Sequence, residues 1–196
     1  MDSSVTFVRI PKNASTSIYE SLGAANTIRN EKIARLYSSR HSIKTNEERY
    51  KGKVAPSHCV LREAVDKLGD EILEVPSFGV ARNPYARSYN LMFHLSQDFQ
   101  EYSFGSFCRA LLELEGRSNF LHAYSVGPNP IDILIAHSLT QKSYLILNDK
   151  IGVDRVLKFE NINEEFKKFI TDYKILNVDP VLPHKNSPNR AAYKDF

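Results

Sequence analysis

Cysteine is scarce: Cys59 and Cys108 are the only two in 196 residues, and they form no CxxC pair. That removes a zinc ribbon, a thioredoxin-type redox motif and a disulfide scaffold, and leaves a reducing compartment as the simplest expectation. No stretch approaches the roughly 20 apolar residues of a membrane-spanning helix. The opening, MDSSVTFVRIPKN, has no basic region followed by a long apolar core, so the expectation is a soluble, cytoplasmic chain with no leader and no membrane partner. Charge of one sign is also lacking: 26 Lys and Arg against 23 Asp and Glu leave +3. That balance argues against coating nucleic acid or an anionic membrane but leaves a local anion site open. Heptads, internal repeats, low-complexity tracts and interdomain linkers are missing as well. What remains, 42% hydrophobic and 25% charged residues, can bury one core and falls short of two, so residues 1–196 are read as a single domain.

Residues 5–10 (VTFVRI) read as a buried strand that stops at Pro11. Ser15, Thr16 and Ser17 then offer N-caps to a helix carrying Ile18 and Leu22, with Gly23 as its end. Residues 24–56 are polar and weakly periodic, fitting one helix and a loop. Residues 60–68 set Leu61, Ala64, Val65 and Leu68 on one helical face, and Gly69 closes it. A second strand over 75–81 runs into Arg82-Asn83-Pro84, where Asn83 can cap and Pro84 can take the first helical position. The helix that follows, to about residue 95, lines Asn83, Arg87, Asn90 and His94 along a polar stripe and turns Tyr85, Tyr89 and Met92 toward the core.

Further on, a helix is predicted over 106–114, a turn-rich break over 126–130, and either helix or strand over 131–138. Strands over 144–147 and 156–159 fit a hairpin through Asn148-Asp149-Lys150, and a helix over 163–173 buries Phe166, Phe169 and Ile170. Strands followed by helices, with the most polar motifs at strand ends, predict a three-layer α/β fold around a central, mainly parallel β-sheet flanked by helices. Ligands of such folds bind beyond the carboxyl ends of the strands.

Two segments satisfy that rule. In Ile10-Pro11-Lys12-Asn13-Ala14-Ser15-Thr16-Ser17 a strand passes into a helix N-terminus. Outward backbone N–H groups, hydroxyls and the Lys12 ammonium suit a phosphate or similar oxyanion. The GxxxxGK[ST] spacing of a Walker A loop is absent, and a capped helix with an incidental lysine is the structural alternative. In Arg82-Asn83-Pro84-Tyr85-Ala86-Arg87-Ser88-Tyr89-Asn90 an arginine at a strand end, with a second donor two turns along the helix, can hold another anionic group. The alternative there is surface pairing of Arg82 and Arg87 with carboxylates.

Together the two segments resemble sulfotransferases that use 3′-phosphoadenosine 5′-phosphosulfate (PAPS), in the branch of the Golgi carbohydrate sulfotransferases and their bacterial relatives. IPKNASTS is similar to the 5′-phosphosulfate-binding loop and RNPYARSYN to the 3′-phosphate-binding motif. The blocks HCVLRE at 58–63, VDRVLKFENI at 153–162 and LPHKN at 182–186 are similar to blocks of that branch in the same order. The resemblance implies a P-loop-like fold, PAPS as sulfate donor, 3′-phosphoadenosine 5′-phosphate (PAP) as product, no metal, and an acceptor hydroxyl on a carbohydrate. It assigns Lys12 to the bridging and 5′-phosphate oxygens, Asn13, Ala14, Ser15, Thr16 and Ser17 to wrapping that phosphate, and Arg82 to the 3′-phosphate. The serine that ends the second motif in the family is Asn90 here, whose amide donates with a longer reach. Many relatives continue past a segment like residues 193–196, so a final helix or acceptor element is expected to be missing or dispensed with.

Sulfuryl transfer needs in-line geometry, a counter-charge for the leaving phosphate and a base for the acceptor proton. Lys12 and the loop amides supply the charge; His58 is the candidate base and His41 the reserve, since neutral imidazole is available near pH 7. Cys59 beside His58 reads as a small buried residue, and Glu160 as a structural partner. Lys185, Asn186 and Arg190 either close over the nucleotide or belong to a solvated tail. Two other functions fit less of the sequence: a P-loop-like ATP-dependent kinase, and a non-catalytic PAP- or nucleotide-binding protein. Acceptor identity and oligomeric state have no sequence signal.

Overall fold

The computed structural model describes residues 5–24, 60–94, 103–115, 139–176 and 178–183. Among them the strands are β1 (Thr6–Val8), β2 (Ser77–Ala81), β3 (Ile146–Leu147), β4 (Lys150–Ile151) and β5 (Arg155–Lys158). The helices are α1 (Ser15–Ala24), α2 (Leu61–Leu68), α3 (Pro84–His94), α4 (Phe104–Glu115), α5 (Gln141–Leu145) and α6 (Ile162–Asp172). β1, β2 and β5 form a parallel sheet with β2 in the middle, in register Phe7 to Phe78 and Val80 to Leu157. Helices flank this sheet, making the chain mixed α/β. No helix among the described residues is long and apolar enough to cross a membrane.

Burial on both faces explains why the strands read as apolar runs. Val5 and Phe7 of the first segment, Phe78 and Val80 of β2 and Leu157 of β5 face one layer, where Ile18 and Leu22 of α1 and Phe166, Phe169 and Ile170 of α6 cover them. Phe78 is its centre, stacked on Phe7 at 4.8 Å and tilted against Phe169 at 4.6 Å. Val8 and Ile10 alternate to the opposite face, under Leu61, Ala64 and Leu68 of α2 and Tyr144 and Leu145 of α5. Gly79 allows that second layer to come close, because a Cβ there would lie 2.5 Å from Leu145 Cδ2. Gly69, at φ +101°, ends α2 as expected, its N–H donating to Val65 O at 2.8 Å.

Several sequence expectations are corrected. Gly23 lies inside α1, which runs to Ala24. Residues 144–147 divide between the end of α5 and β3, and β3 pairs with β4 across Asn148 and Asp149. Those two residues take φ 50° and 63°, the left-handed pair that a two-residue hairpin turn requires. β5 therefore belongs to the parallel sheet, not to the hairpin. Tyr85 is 67% exposed, while Arg87 of the expected polar stripe is 7% exposed. Residues 25–59, 116–138 and 184–196 lie outside the described residues, and with them His41, His58, Cys59, Lys185, Asn186, Arg190 and the readings made for 126–130 and 131–138.

Candidate functional site

β1 and β2 are parallel neighbours, so the two anion-binding candidates emerge side by side at the carboxyl edge of the sheet. The 3-10 turn Phe159–Asn161, directly after β5, joins them there. All three strand ends thus feed one locus.

The first loop is built around backbone that ordinary residues avoid. Lys12 has φ 66° and Ala14 φ 56°, left-handed values costing roughly 1–2 kcal/mol each in a residue with a Cβ. Such conformations persist only where the surroundings over-determine them. The surroundings here are specific. Arg87 Nε donates to Pro11 O at 3.2 Å and Arg87 Nη1 to Leu139 O at 3.1 Å. Arg82 Nη1 donates to Lys12 O at 3.1 Å. In a trans peptide each C=O is antiparallel to the following N–H, so holding the carbonyls of Pro11 and Lys12 toward the second segment turns the N–H groups of Lys12 and Asn13 the other way.

Helix α1 has no side-chain cap from its own N-cap residue. Ile18 N–H donates to Ala14 O at 3.1 Å, which makes Ala14 the N-cap residue and moves Ser15, Thr16 and Ser17 into the first turn. Alanine has no oxygen with which to accept a first-turn N–H. The expectation that one of the three hydroxyl residues caps the helix is therefore overturned. Two neighbouring helices show the ordinary solution: Asn83 Oδ1 accepts from Tyr85 N at 3.0 Å and Ala86 N at 3.1 Å, and Thr140 Oγ1 accepts from Ser143 N at 3.2 Å. At α1 the first-turn amides retain their positive potential for an external anion, with Lys12 as the adjacent cation.

The other predicted residues divide. Asn13 is fully buried, and its Nδ2 donates to Val80 O at 2.6 Å and to Gln141 Oε1 at 2.7 Å. Its side chain anchors the loop to β2, leaving its main chain for an anion; its Oδ1 has no partner. Arg82 sits at the edge of the site with its guanidinium 4.0 Å over the Phe159 ring. Asn90 donates from Nδ2 to Ala86 O at 2.8 Å, spending one amide hydrogen on its own helix. Glu160 is a structural partner, as expected: its Oε1 accepts from Asn83 N at 2.8 Å.

Gln141 escaped the sequence reading. Its Oε1 accepts from Arg82 N at 2.8 Å and its Nε2 donates to Arg82 O at 2.8 Å. The one available signal was that Arg82, between a strand end and a proline-led helix, needs partners for its backbone. Cys108, on α4, has its thiol pushed up by burial, away from thiolate chemistry. No group of three or more His, Cys, Asp or Glu that could hold a metal ion occurs among the described residues.

The fold defines a mixed α/β protein whose two candidate anion-binding loops lie at one edge of its parallel sheet. Comparison with protein-family models, curated proteins and solved structures returned no match.

Proposed function

We propose that the chain is a PAPS-dependent sulfotransferase of P-loop-like fold, moving a sulfuryl group to a hydroxyl of a carbohydrate acceptor. What supports this reading is the bond from Arg82 Nη1 to Lys12 O, which joins the segment resembling the 5′-phosphosulfate loop to the one resembling the 3′-phosphate motif. A donor carrying phosphate at both positions needs two cationic groups at one edge. The uncapped start of α1 and the charge of Lys12 suit the 5′ side, and Arg82 suits the 3′ side.

In the proposed reaction His58 takes the acceptor proton as the acceptor oxygen bonds to sulfur. The bond between sulfur and the bridging phosphate oxygen breaks, and PAP leaves. Lys12 and the first-turn amides of α1 offset the charge that grows on that oxygen, a stabilisation worth most where the donors are already fixed. The hydrogen bonds on Pro11 O and Lys12 O support the reading by fixing the adjoining N–H groups of Lys12 and Asn13.

A thermal shift of the full chain tests the reading. Saturation with PAP at about 100 times its Kd adds about 2.7 kcal/mol to folded-state stability. Stabilisation by PAP beyond that by AMP, lost in Lys12→Ala and in Arg82→Ala, is the expected result; an equal response to AMP removes the 3′-phosphate assignment. The back-bonded amide of Asn90, a departure in the 3′-phosphate motif, favours a second reading, a nucleotide-binding protein without turnover. Labelled PAPS with a glycan panel separates the two.

A further inference from the structure

Gln141 heads a helix of five residues and uses its amide in both directions. Nε2 gives a hydrogen to Arg82 O at 2.8 Å, while Oε1 accepts from Arg82 N at 2.8 Å and from Asn13 Nδ2 at 2.7 Å. The reciprocal pair on Arg82 imitates a strand partner just past the end of β2. The third bond reaches the loop after β1. We infer that Gln141 is a positioning residue that couples the two anion-binding segments, so that the loop at Lys12 and Asn13 and the turn at Arg82 open and close as one unit.

The chemistry favours this assignment over a generic contact. A primary amide carries donor and acceptor in one rigid plane, and only Asn and Gln side chains offer that. It is uncharged, so the coupling persists at any pH at which the chain is folded. Asn13 makes the arrangement sensitive. Its Oδ1 has no partner, and the side chain is held by Nδ2 alone, between Val80 O and Gln141 Oε1. Losing Gln141 removes one of those two anchors and lets the amide rotate to satisfy its orphaned oxygen. A partly satisfied buried network yields first where it is already short of partners. The loop released in this way is the one holding left-handed φ at Lys12 and Ala14, so its relaxation is downhill. The coupling needs no ligand; its effect on PAP affinity rests on the sulfotransferase reading.

Amide hydrogen exchange on the ligand-free full chain decides the matter. In Gln141→Ala, peptides covering residues 11–18, where the Ile18 N–H bonded to Ala14 O is the reporter, and residues 82–86 exchange together, about 10-fold faster than in the parent chain, with α6 unchanged. Acceleration in the Arg82 segment alone, or in neither, overturns the inference. If Gln141→Ala also loosens α6, the chain is globally weakened and Gln141→Glu takes over. That variant keeps the Oε1 acceptor but sets a carboxylate oxygen against Arg82 O. Both segments then loosen at neutral pH and regain protection relative to the parent on acidification, when the protonated carboxyl supplies the missing donor; no regain overturns the inference. Calorimetry adds the second arm. Gln141→Ala weakens PAP about 10-fold and AMP less than about 2-fold, because only a ligand holding both segments senses their register. Equal weakening of the two ligands overturns the coupling, whereas a parent chain that ignores PAP sinks the sulfotransferase reading and leaves the exchange result to stand for the coupling.

Discussion

Arg87 Nε donates to Pro11 O at 3.2 Å from a helix 76 residues further along the chain. An arginine expected on a polar stripe thus lies buried beneath the loop it supports, its second bond reaching Leu139 O. Arg87→Ala strips two carbonyls of a charged donor and empties the space of a long side chain. The expected cost is about 2–4 kcal/mol, taking roughly 1–3 kcal/mol for each buried group left unsatisfied. Urea unfolding measures it, and a loss under about 1 kcal/mol would mean that water replaces the guanidinium without penalty.

Ala14 gives a second test, since its φ of 56° suits glycine better than any residue with a Cβ. Ala14→Gly is expected to stay within about 0.5 kcal/mol of the parent, relief of strain offsetting the entropy that glycine adds to the unfolded chain. Ala14→Val adds a β-branched side chain to the same backbone and is expected to lose about 2 kcal/mol or more. Equal melting temperatures for the two variants would mean that the left-handed conformation is not held in solution.

Gly79 and Leu145 make a third pair. With Leu145 Cδ2 2.5 Å from where a Cβ would stand, Gly79→Ala must push the Leu145 side chain aside, at an expected cost of about 1–3 kcal/mol. Combining it with Leu145→Val, which shortens the opposing side chain, recovers part of that loss and makes the double-mutant cycle non-additive. Strict additivity would show that the two side chains do not meet.

The ionic link on α6 predicts a pH dependence. Hydrogen bonds from Arg155 first and Lys168 second hold the Asp172 carboxyl below its usual value. A depressed carboxyl contributes stability in full above its unfolded value, near pH 4, and loses it as pH falls through the folded value. The parent chain should therefore exceed Asp172→Asn in melting temperature above the unfolded value near pH 4, and the difference should shrink as pH falls through the lower folded value. The side chains are exposed enough for salt to shrink the effect. A gap that widens on acidification would contradict the sign.

On the proposed sulfotransferase reading, His58→Ala is expected to lower sulfuryl transfer by about 10²–10⁴-fold with PAP binding retained. Near-normal turnover in a folded variant would move the base to His41 or elsewhere.

The elements themselves were legible because their signals are local. The apolar, β-branched run at residues 5–10 ending at Pro11, the 3.6-period faces of α2 and α6, the Asn83 cap with Pro84 behind it and the stop at Gly69 each depend on neighbours within one or two turns. The two anion segments were legible for the same reason, each being a contiguous strand–loop–helix stretch. What the sequence by itself determined is therefore the mixed α/β class of the fold and the place of the two candidate segments at strand ends.

Tertiary structure decided how the site is held. Ala14 takes the cap position that three neighbouring hydroxyl residues were better suited to fill, because the loop's left-handed φ values set where the first helical hydrogen bond forms. Asn13 turned inward to Val80 O, Arg87 went under Pro11, and β5 left the expected hairpin to join β2. Gln141 reaches Arg82 across 59 residues. Apart from the local bond at Ala14, each of these depends on a backbone group finding a donor or acceptor supplied from far along the chain. Burial makes such pairing obligatory, but only the packed fold determines which distant residue provides it.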